Sequence, residues 1–235
     1  MGMGTWCEFG DRLIVVEGPI VRDFGMSFPT RMTVSLLADG SLWIESPVSV
    51  SFETLKKLTD LGPVSCLVSS TPRHVWRLEP WHQLFPGVDL WAPPASWTTL
   101  KHQDLPMAGT LTGQPVAAWA EDLEQELIKG SRFIEETCFF HKPSRTLIVG
   151  DLIQVHDLHT GDVFGNAIKR AGGIAAPDGG TSRDIKASFW DRKALRASVE
   201  RVMDWDFDRL IMAHGPCLSD GAKPFVADKL AWALR

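Results

Sequence analysis

The sequence has no tyrosine, no run of basic residues and no apolar run as long as the ~18–20 residues of a membrane-spanning helix. It begins without the basic and apolar segments of a secretory signal. Its net charge of -5 gives no general attraction for nucleic acid or for an anionic membrane surface. We therefore expect a cytoplasmic protein that binds neither nucleic acid nor a membrane.

Cysteines are few, and no CxxC pair is present. Cys7, Cys66, Cys138 and Cys217 are the four, and they are widely spaced. Cys66 and Cys138 lie in apolar segments typical of strands. This placement predicts reduced, buried thiols rather than disulfides.

No Pro/Ser linker, repeat or low-complexity block divides the chain of 235 residues. A single hydrophobic core can grow to roughly 250 residues before a chain tends to split into domains. We therefore predict one domain over residues 1–235. Ten tryptophans lead us to expect some exposed indole rings, and a homodimer is the corresponding expectation.

Strand-forming segments cluster first and then alternate with helical segments in both halves of the chain. Met32–Leu37 and Ser41–Glu45 flank a tight turn and predict an antiparallel hairpin. Other predicted strands are Leu13–Glu17, Val64–Val68, Val88–Trp91, Glu126–Lys129, Phe133–Phe140, Thr146–Val149 and Arg209–Met212. Predicted helices follow Ser51 and Asp191 and cover about Trp76–Phe85, Asp162–Arg170 and Pro224–Leu234, whereas Thr98–Ala120 fits either helix or loop. This order predicts an α/β protein, an αββα sandwich of two mixed β-sheets flanked by helices.

Polar side chains follow three of the predicted strands. His74 lies in the polar loop after the strand that ends at Val68, and Asp151 and His214 follow two later strands. Two imidazoles and a carboxylate at strand ends can bind one divalent metal, with the open fourth position of a catalytic zinc site. Spacing alone also allows Asp151 to be a turn residue and each histidine an ordinary hydrogen-bonded group.

Nucleotide-binding G-x-x-x-x-G-K-[ST] and G-x-G-x-x-G motifs are absent, and so is the G-x-S-x-G motif of serine hydrolases. Glu135 and Glu136 are adjacent on a predicted strand. Their side chains therefore point to opposite faces and do not form an acid/base pair, although one of them can face the core.

Several segments resemble the metallo-β-lactamase-fold superfamily. "FPGVDLWA" resembles its first half, and "SRTLIVGDLI" and "RLIMAHGP" resemble its second half, so that the resemblance runs from about Arg31 to the last helix. "RMTVSLLADGSLWIESPV", "EETCFFHKPSRTLIVGDL" and "WDFDRLIMAHG" resemble an uncharacterised branch of it, a domain of unknown function. This resemblance implies a fold but no substrate.

Active members of that superfamily bind two metals through an H-x-H-x-D-H loop, a further histidine, a bridging aspartate and a final histidine. The first metal takes the first two histidines of the loop and the further histidine. The resemblance places the loop on Ser69, Thr71, Arg73 and His74, so that only its last histidine is retained. The further histidine would fall near Ser131 and is absent. The first metal therefore loses all its histidines.

The second metal keeps more of its ligands. His74 is retained, Asp151 matches the bridging aspartate and His214 matches the final histidine. Arg73 stands where this metal's own carboxylate should be, and a permanent cation repels a divalent ion at contact distance. Hydrolysis by two metals is therefore not expected.

Three interpretations of this degenerate centre remain open. One divalent metal, zinc before others, can bind through the retained residues, with His156, His159 or His141 as substitute ligands. Alternatively no metal binds, and Arg73 pairs with Asp151. In the third interpretation the residues are structural remnants.

Two functions follow from these interpretations. One is an atypical hydrolase of a small ester, lactone or phosphoester, in which Asp151 orients a metal-activated water. The other is a non-catalytic protein that binds a small polar or anionic ligand through Arg73, Ser69, Thr71 and Ser131. The missing ligands favour the second.

Overall fold

A computed structural model describes residues 4–23, 25–100, 104–131 and 133–235. The strands in these ranges are β1 (Trp6–Gly10), β2 (Leu13–Glu17), β3 (Val21–Asp23), β4 (Met26–Phe28), β5 (Arg31–Leu36), β6 (Leu42–Glu45), β7 (Val64–Val68), β8 (Asp89–Ala92), β9 (Met107–Thr110), β10 (Leu123–Ile128), β11 (Glu136–His141), β12 (Thr146–Val149) and β13 (Arg209–Met212). The α-helices are α1 (Phe52–Leu61), α2 (Leu78–Leu84), α3 (Trp97–Leu100), α4 (Val163–Gly172), α5 (Arg183–Ser188), α6 (Arg192–Asp204) and α7 (Ala222–Leu230).

The strands form two mixed sheets and a separate hairpin. The larger sheet has the order β1-β2-β5-β6-β7-β8-β9, antiparallel as far as β6 and parallel from there on. The smaller sheet has the order β10-β11-β12-β13, in which only the β12–β13 pair is parallel. Strands β3 and β4 pair only with each other. The prediction of two mixed sheets is confirmed.

The two sheets face each other across an apolar layer. Trp43 of the larger sheet packs edge-to-face on Phe139 of the smaller one, with ring centroids 4.9 Å apart. Leu58 of α1 and Leu78 of α2 pack on the outer face of the larger sheet. Helices α5, α6 and α7 cover the smaller sheet. The αββα arrangement is therefore confirmed.

Four predicted strands have the predicted bounds: Leu13–Glu17, Val64–Val68, Thr146–Val149 and Arg209–Met212. The strand predicted to start at Phe133 instead starts at Glu136, because the side chain of Ser131 accepts hydrogen bonds from the backbone N–H groups of residues 133 and 134. The short strands β1, β3, β4 and β9 were not predicted. Residues 98–120 contain the end of α3 and β9, and their residues 101–103 lie outside the described ranges.

The helix predicted after Ser51 is confirmed, and only a narrow face of it is buried. Ser51 caps α1 by accepting a hydrogen bond from the backbone N–H of Thr54. Thr54 and Leu58 are buried, whereas Phe52 is 83% exposed. Phe52 lies two residues before Thr54, which places it about 200° round the helix axis from the buried stripe.

The four cysteines are free thiols, and Cys66 and Cys138 are buried as predicted. Burial raises the pKa of the Cys66 thiol to about 11. No helix in the described part of the chain is long and apolar enough to cross a membrane.

The side chain of Asp191 caps the N-terminus of helix α6, and this role can be tested by mutation. Asp191 accepts a hydrogen bond of 2.9 Å from the backbone N–H of Ala194 and caps the helix, whose residues Leu195 and Val199 are buried in the core. Asp191→Ala should lower the free energy of unfolding by about 1 kcal/mol, measured by chemical denaturation. Asp204→Ala, at the exposed last residue of the same helix, is the control and should cost almost nothing. Equal unfolding midpoints for both variants would contradict the capping role.

Candidate metal centre

The candidate ligands lie at one edge of the sandwich, where strands from both sheets end. Asp151 and His214 each follow their strand by two residues, and those strands, β12 and β13, are parallel neighbours with Val149 paired to Met212. Carboxyl ends of parallel strands meet at the same sheet edge, so the two side chains emerge side by side. His74 comes from the loop after β7 of the other sheet.

The three side chains converge on a small volume. His74 Nε2 lies 3.9 Å from Asp151 Oδ2, and His214 Nε2 lies 3.6 Å from Asp151 Oδ1. All three potential ligand atoms are within 4.8 Å of one another. A tetrahedral zinc ion with bonds of ~2.0–2.1 Å separates its ligand atoms by about 3.3 Å. Small side-chain movements would therefore complete the ligand set.

The hydrogen bond of His214 fixes which ring nitrogen carries its proton. His214 Nδ1 lies 2.9 Å from the carbonyl oxygen of Pro29, and a carbonyl oxygen can only accept. Nδ1 therefore carries a hydrogen, so that in the neutral ring Nε2 is the nitrogen with the lone pair, and it is directed towards Asp151. This is the arrangement of a histidine that binds a metal through Nε2.

The ring of His74 is oriented by a chain of hydrogen bonds. His74 Nδ1 lies 2.6 Å from Ser46 Oγ, and Ser46 Oγ donates to the carboxyl group of Glu45. With Glu45 ionised, the Ser46 hydrogen goes to Glu45 and Ser46 accepts from His74 Nδ1, which again leaves Nε2 as an acceptor; burial raises the pKa of Glu45 to about 7. Ser70 donates a second hydrogen bond to Glu45. Burial lowers the pKa of His74 to about 4, so its imidazole is uncharged at neutral pH.

Asp151 stays ionised although it is buried. Burial alone would raise the pKa of Asp151, but His74, His214, Arg73 and a hydrogen bond from Thr71 together hold it below its usual value. When both imidazoles are neutral, two lone pairs and a carboxylate face one another, at distances too long for a shared hydrogen bond. Such a group of acceptors is unfavourable unless a proton or a metal cation lies between them. The residues thus fit a divalent ion.

Glu136 holds the loop that carries Asp151. Its carboxyl oxygens accept hydrogen bonds of 2.8, 2.7 and 2.7 Å from the backbone N–H groups of Gly150, Asp151 and Leu152. Glu135, its neighbour, lies just before β11 rather than on it and accepts from the backbone of Ala95. The role of Glu136 in the Asp151 loop was not predicted.

Arg31 holds the loop that carries His214. Its Nη1 donates to the carbonyl oxygens of Met212 and Gly215, and its Nε and Nη2 bind Glu17 at 2.8 and 2.6 Å. The side chain therefore ties the end of β13 to the larger sheet. No sequence signal identified Arg31, because its partners in the loop are 181 and 184 positions away.

Arg73 does not pair with Asp151, and that prediction is wrong. Its guanidinium lies 3.2 Å from Asp184, with the two side chains 40% and 65% exposed. The buried Asp151 carboxylate already accepts from Thr71 and Gln154, so the guanidinium keeps its hydration at the surface instead. The metal position is therefore not filled by this arginine.

The other predicted ligand-binding residues form internal hydrogen bonds. Buried Ser69 donates to the carbonyl oxygen of Thr71, and Thr71 donates to Asp151 at 3.1 Å. Ser131 donates to Ser188 and is also buried. Ser69, Thr71 and Ser131 do not belong to the lining of the cavity beside the triad.

Of the three substitute ligands considered, only His156 lies near the triad. Its ring stacks on His214 with centroids 5.6 Å apart, and its Nε2 is bonded to Gln154. It is not part of the converging group, however. His159 is exposed, and His141 lies at the far end of β11 from Glu136, bonded to Ser144.

A cavity of about 420 Å³ adjoins the triad and includes His74, Asp151 and His214 in its lining. The β3–β4 hairpin forms one of its walls, where Phe28 contacts the ring of His214 at a centroid distance of 4.9 Å. This volume lies within the range of ~300–1,000 Å³ that is typical of small-molecule sites.

Solved structures of low sequence identity share this architecture. A metallo-beta-lactamase from Hirschia baltica is 13% identical, with a TM-score of 0.65 over 100% of this chain and 99% of that one. FIM-1 from Pseudomonas aeruginosa, a metallo-beta-lactamase in its mono-zinc form, is 11% identical, with a TM-score of 0.64 over 99% and 97%. A putative diflavin flavoprotein fragment from Nostoc sp. is 12% identical, with a TM-score of 0.68 over 98% and 96%. The fold is therefore that of the metallo-β-lactamases.

A sequence family described as a domain of unknown function, DUF4336, matches residues 21–164, and the chain belongs to this family. No curated protein matches the sequence. The predicted branch of the superfamily is thereby confirmed, and the family itself names no activity.

Proposed function

We propose that the protein binds one divalent ion, most simply zinc, through His74, Asp151 and His214. We further propose that it hydrolyses a small ester, lactone or phosphoester in the adjoining cavity. The convergence of three acceptor groups within 4.8 Å, with no partner cation at their centre among the described residues, carries this proposal. Three protein ligands with an open position towards a cavity are the pattern of a catalytic zinc site.

Residues around the proposed metal site would orient its ligands, the attacking water and the substrate. A zinc ion, when bound, polarises a carbonyl or phosphoryl oxygen and lowers the pKa of water. Asp151, held by Glu136, can accept a hydrogen bond from an attacking water and orient it. Glu45 and Ser46 keep His74 in the tautomer that a ligand needs. Val48 and Phe28 give the cavity apolar surface that limits the entry of bulk water.

A non-catalytic ligand-binding protein is the second candidate. Ser69 and Thr71 favour this candidate, because they occupy positions at which active members of the superfamily have metal ligands. Both side chains are fully used in internal hydrogen bonds. Arg73, near Asp151, adds positive charge that weakens metal binding and favours an anion.

The two candidates are separated by metal analysis of untagged protein purified without added metal. We expect about one zinc per chain, and hydrolysis of some member of an ester, lactone and phosphoester panel that a chelator abolishes. Arg73→Asp should bind zinc about tenfold more tightly, because it replaces a cation by a carboxylate. Arg73→Gln is the control that removes charge without adding a ligand.

No bound ion after incubation with zinc, iron or manganese, for the wild type and for Arg73→Asp alike, would overturn the metal site. Stoichiometric zinc without any hydrolysis would instead favour the binding protein.

A further inference from the structure

Arginines predominate among the charged side chains that line the cavity beside the triad. Among the described residues that line it, the charged side chains are Arg22, Arg31, Arg73 and Asp151. Three of these four side chains are cations, although Arg31 is paired with Glu17 and Arg73 with Asp184, both outside the lining. A bound divalent ion would add further positive charge, which attracts anions.

Two of these arginines are available to a ligand. Arg31 is not, because its donors are bonded to Glu17 and to backbone carbonyl groups. Arg22 is exposed and forms no ion pair with a described side chain. Arg73 pairs with Asp184, but both side chains are largely in solvent, where such a pair contributes little. An incoming anion can therefore replace Asp184 at small cost.

The rest of the lining is largely apolar. Val21, Met26 and Phe28 of the hairpin form one wall, and Val48 and Trp76 contribute further apolar surface. Trp76 is 43% exposed, so part of its ring is free to contact a ligand. An apolar wall of this kind favours a hydrocarbon or aromatic group over a compact, fully hydrated ion.

We propose that the cavity binds amphipathic oxyanions, that is, small molecules with an apolar chain or ring and one carboxylate or phosphate group. Arg22 and Arg73 bind the anionic group, and the hairpin packs against the apolar part. The claim that such molecules are the substrates rests on the proposed hydrolysis. The claim that the cavity binds them does not rest on it, because binding can be measured on metal-free protein.

The test is isothermal titration calorimetry of metal-free protein at low ionic strength with octanoate, octyl phosphate, octanamide and acetate. Octanoate and octyl phosphate should each bind about tenfold more tightly than octanamide, which lacks the charge, and than acetate, which lacks the chain. The tighter of the two anions identifies the preferred oxyanion. Octanamide binding as tightly as octanoate, or no binding by any of the four, overturns the proposal.

Single substitutions in the cavity lining test whether the ligand binds there. Arg22→Gln and Arg73→Gln should each weaken octanoate binding about threefold to tenfold and leave octanamide binding unchanged. Met26→Ser should weaken both ligands equally. Arg170→Gln, an exposed arginine of α4 outside the cavity lining, is the matched control and should have no effect. Octanoate affinity unchanged in both cavity arginine variants would overturn the assignment.

Failure of the metal site would appear as absence of bound zinc with octanoate binding intact. Failure of the present proposal would appear as bound zinc without selectivity for the anion.

Discussion

His214→Ala is expected to lower the zinc affinity of the protein by about 100-fold or more. It removes one of three ligands, and even the loss of an outer hydrogen-bond partner of a ligand typically costs about 10–100-fold. The affinity is measured by competition with a chromophoric chelator. A bound ion also stabilises by mass action, by about 2.7 kcal/mol at a free concentration 100 times Kd. That zinc-dependent stabilisation should disappear in the variant.

His159→Ala is the matched control for this prediction. His159 was considered as a substitute ligand, but the structure places it in an exposed turn, with its backbone bonded to Asn166. Its removal should leave both zinc affinity and zinc-dependent stabilisation at the wild-type values. If His214→Ala behaves like His159→Ala, then His214 is not a ligand, whatever ion the protein contains.

The triad could be proposed from sequence because its residues follow apolar strands. Val149 and Met212 end four-residue buried strands, and each is followed two positions later by a polar side chain. Since the carboxyl ends of parallel strands share an edge, Asp151 and His214 were expected to meet. Their strands are indeed paired in parallel.

The residues that support the triad could not be predicted in the same way. Arg31 and Glu136 act through backbone groups of distant loops, and any residue type supplies such groups. The partner of Arg73 lies 111 positions away and depends on how deeply Asp151 is buried. These contacts follow from tertiary packing rather than from periodicity.

The β3–β4 hairpin could not be predicted from the sequence because its strands are very short. Val21–Asp23 and Met26–Phe28 are only three residues long, and they pair with each other rather than with a sheet. Three residues are too few to show an alternating pattern. The cavity wall, and with it the apolar part of the ligand inferred above, therefore came from the structure alone, whereas an anionic ligand at Arg73 was expected from the sequence.

Glu136→Gln is expected to lower the free energy of unfolding by about 2–4 kcal/mol and to weaken zinc binding about 10–100-fold. Oε1 accepts from Gly150, and Oε2 accepts from both Asp151 and Leu152. Burial and the neighbouring Asp151 raise the pKa of Glu136 to about 8, against the effect of the three N–H groups. A protonated carboxyl group still offers lone pairs on both oxygens, whereas the amide nitrogen of glutamine offers none. At least one buried backbone N–H is therefore left facing another donor.

Glu135→Gln supplies the control, because the same change is made one residue earlier at a half-buried side chain. Glu135 accepts a single hydrogen bond of 3.1 Å from Ala95, and an amide oxygen can replace that acceptor. This variant should lose less than about 1 kcal/mol and keep its zinc affinity. Chemical denaturation and the chelator competition are run on both variants at neutral pH. Equal losses at the two positions would show that the Asp151 loop does not depend on Glu136. A loss of stability at Glu136 without a loss of zinc affinity would limit its role to the fold.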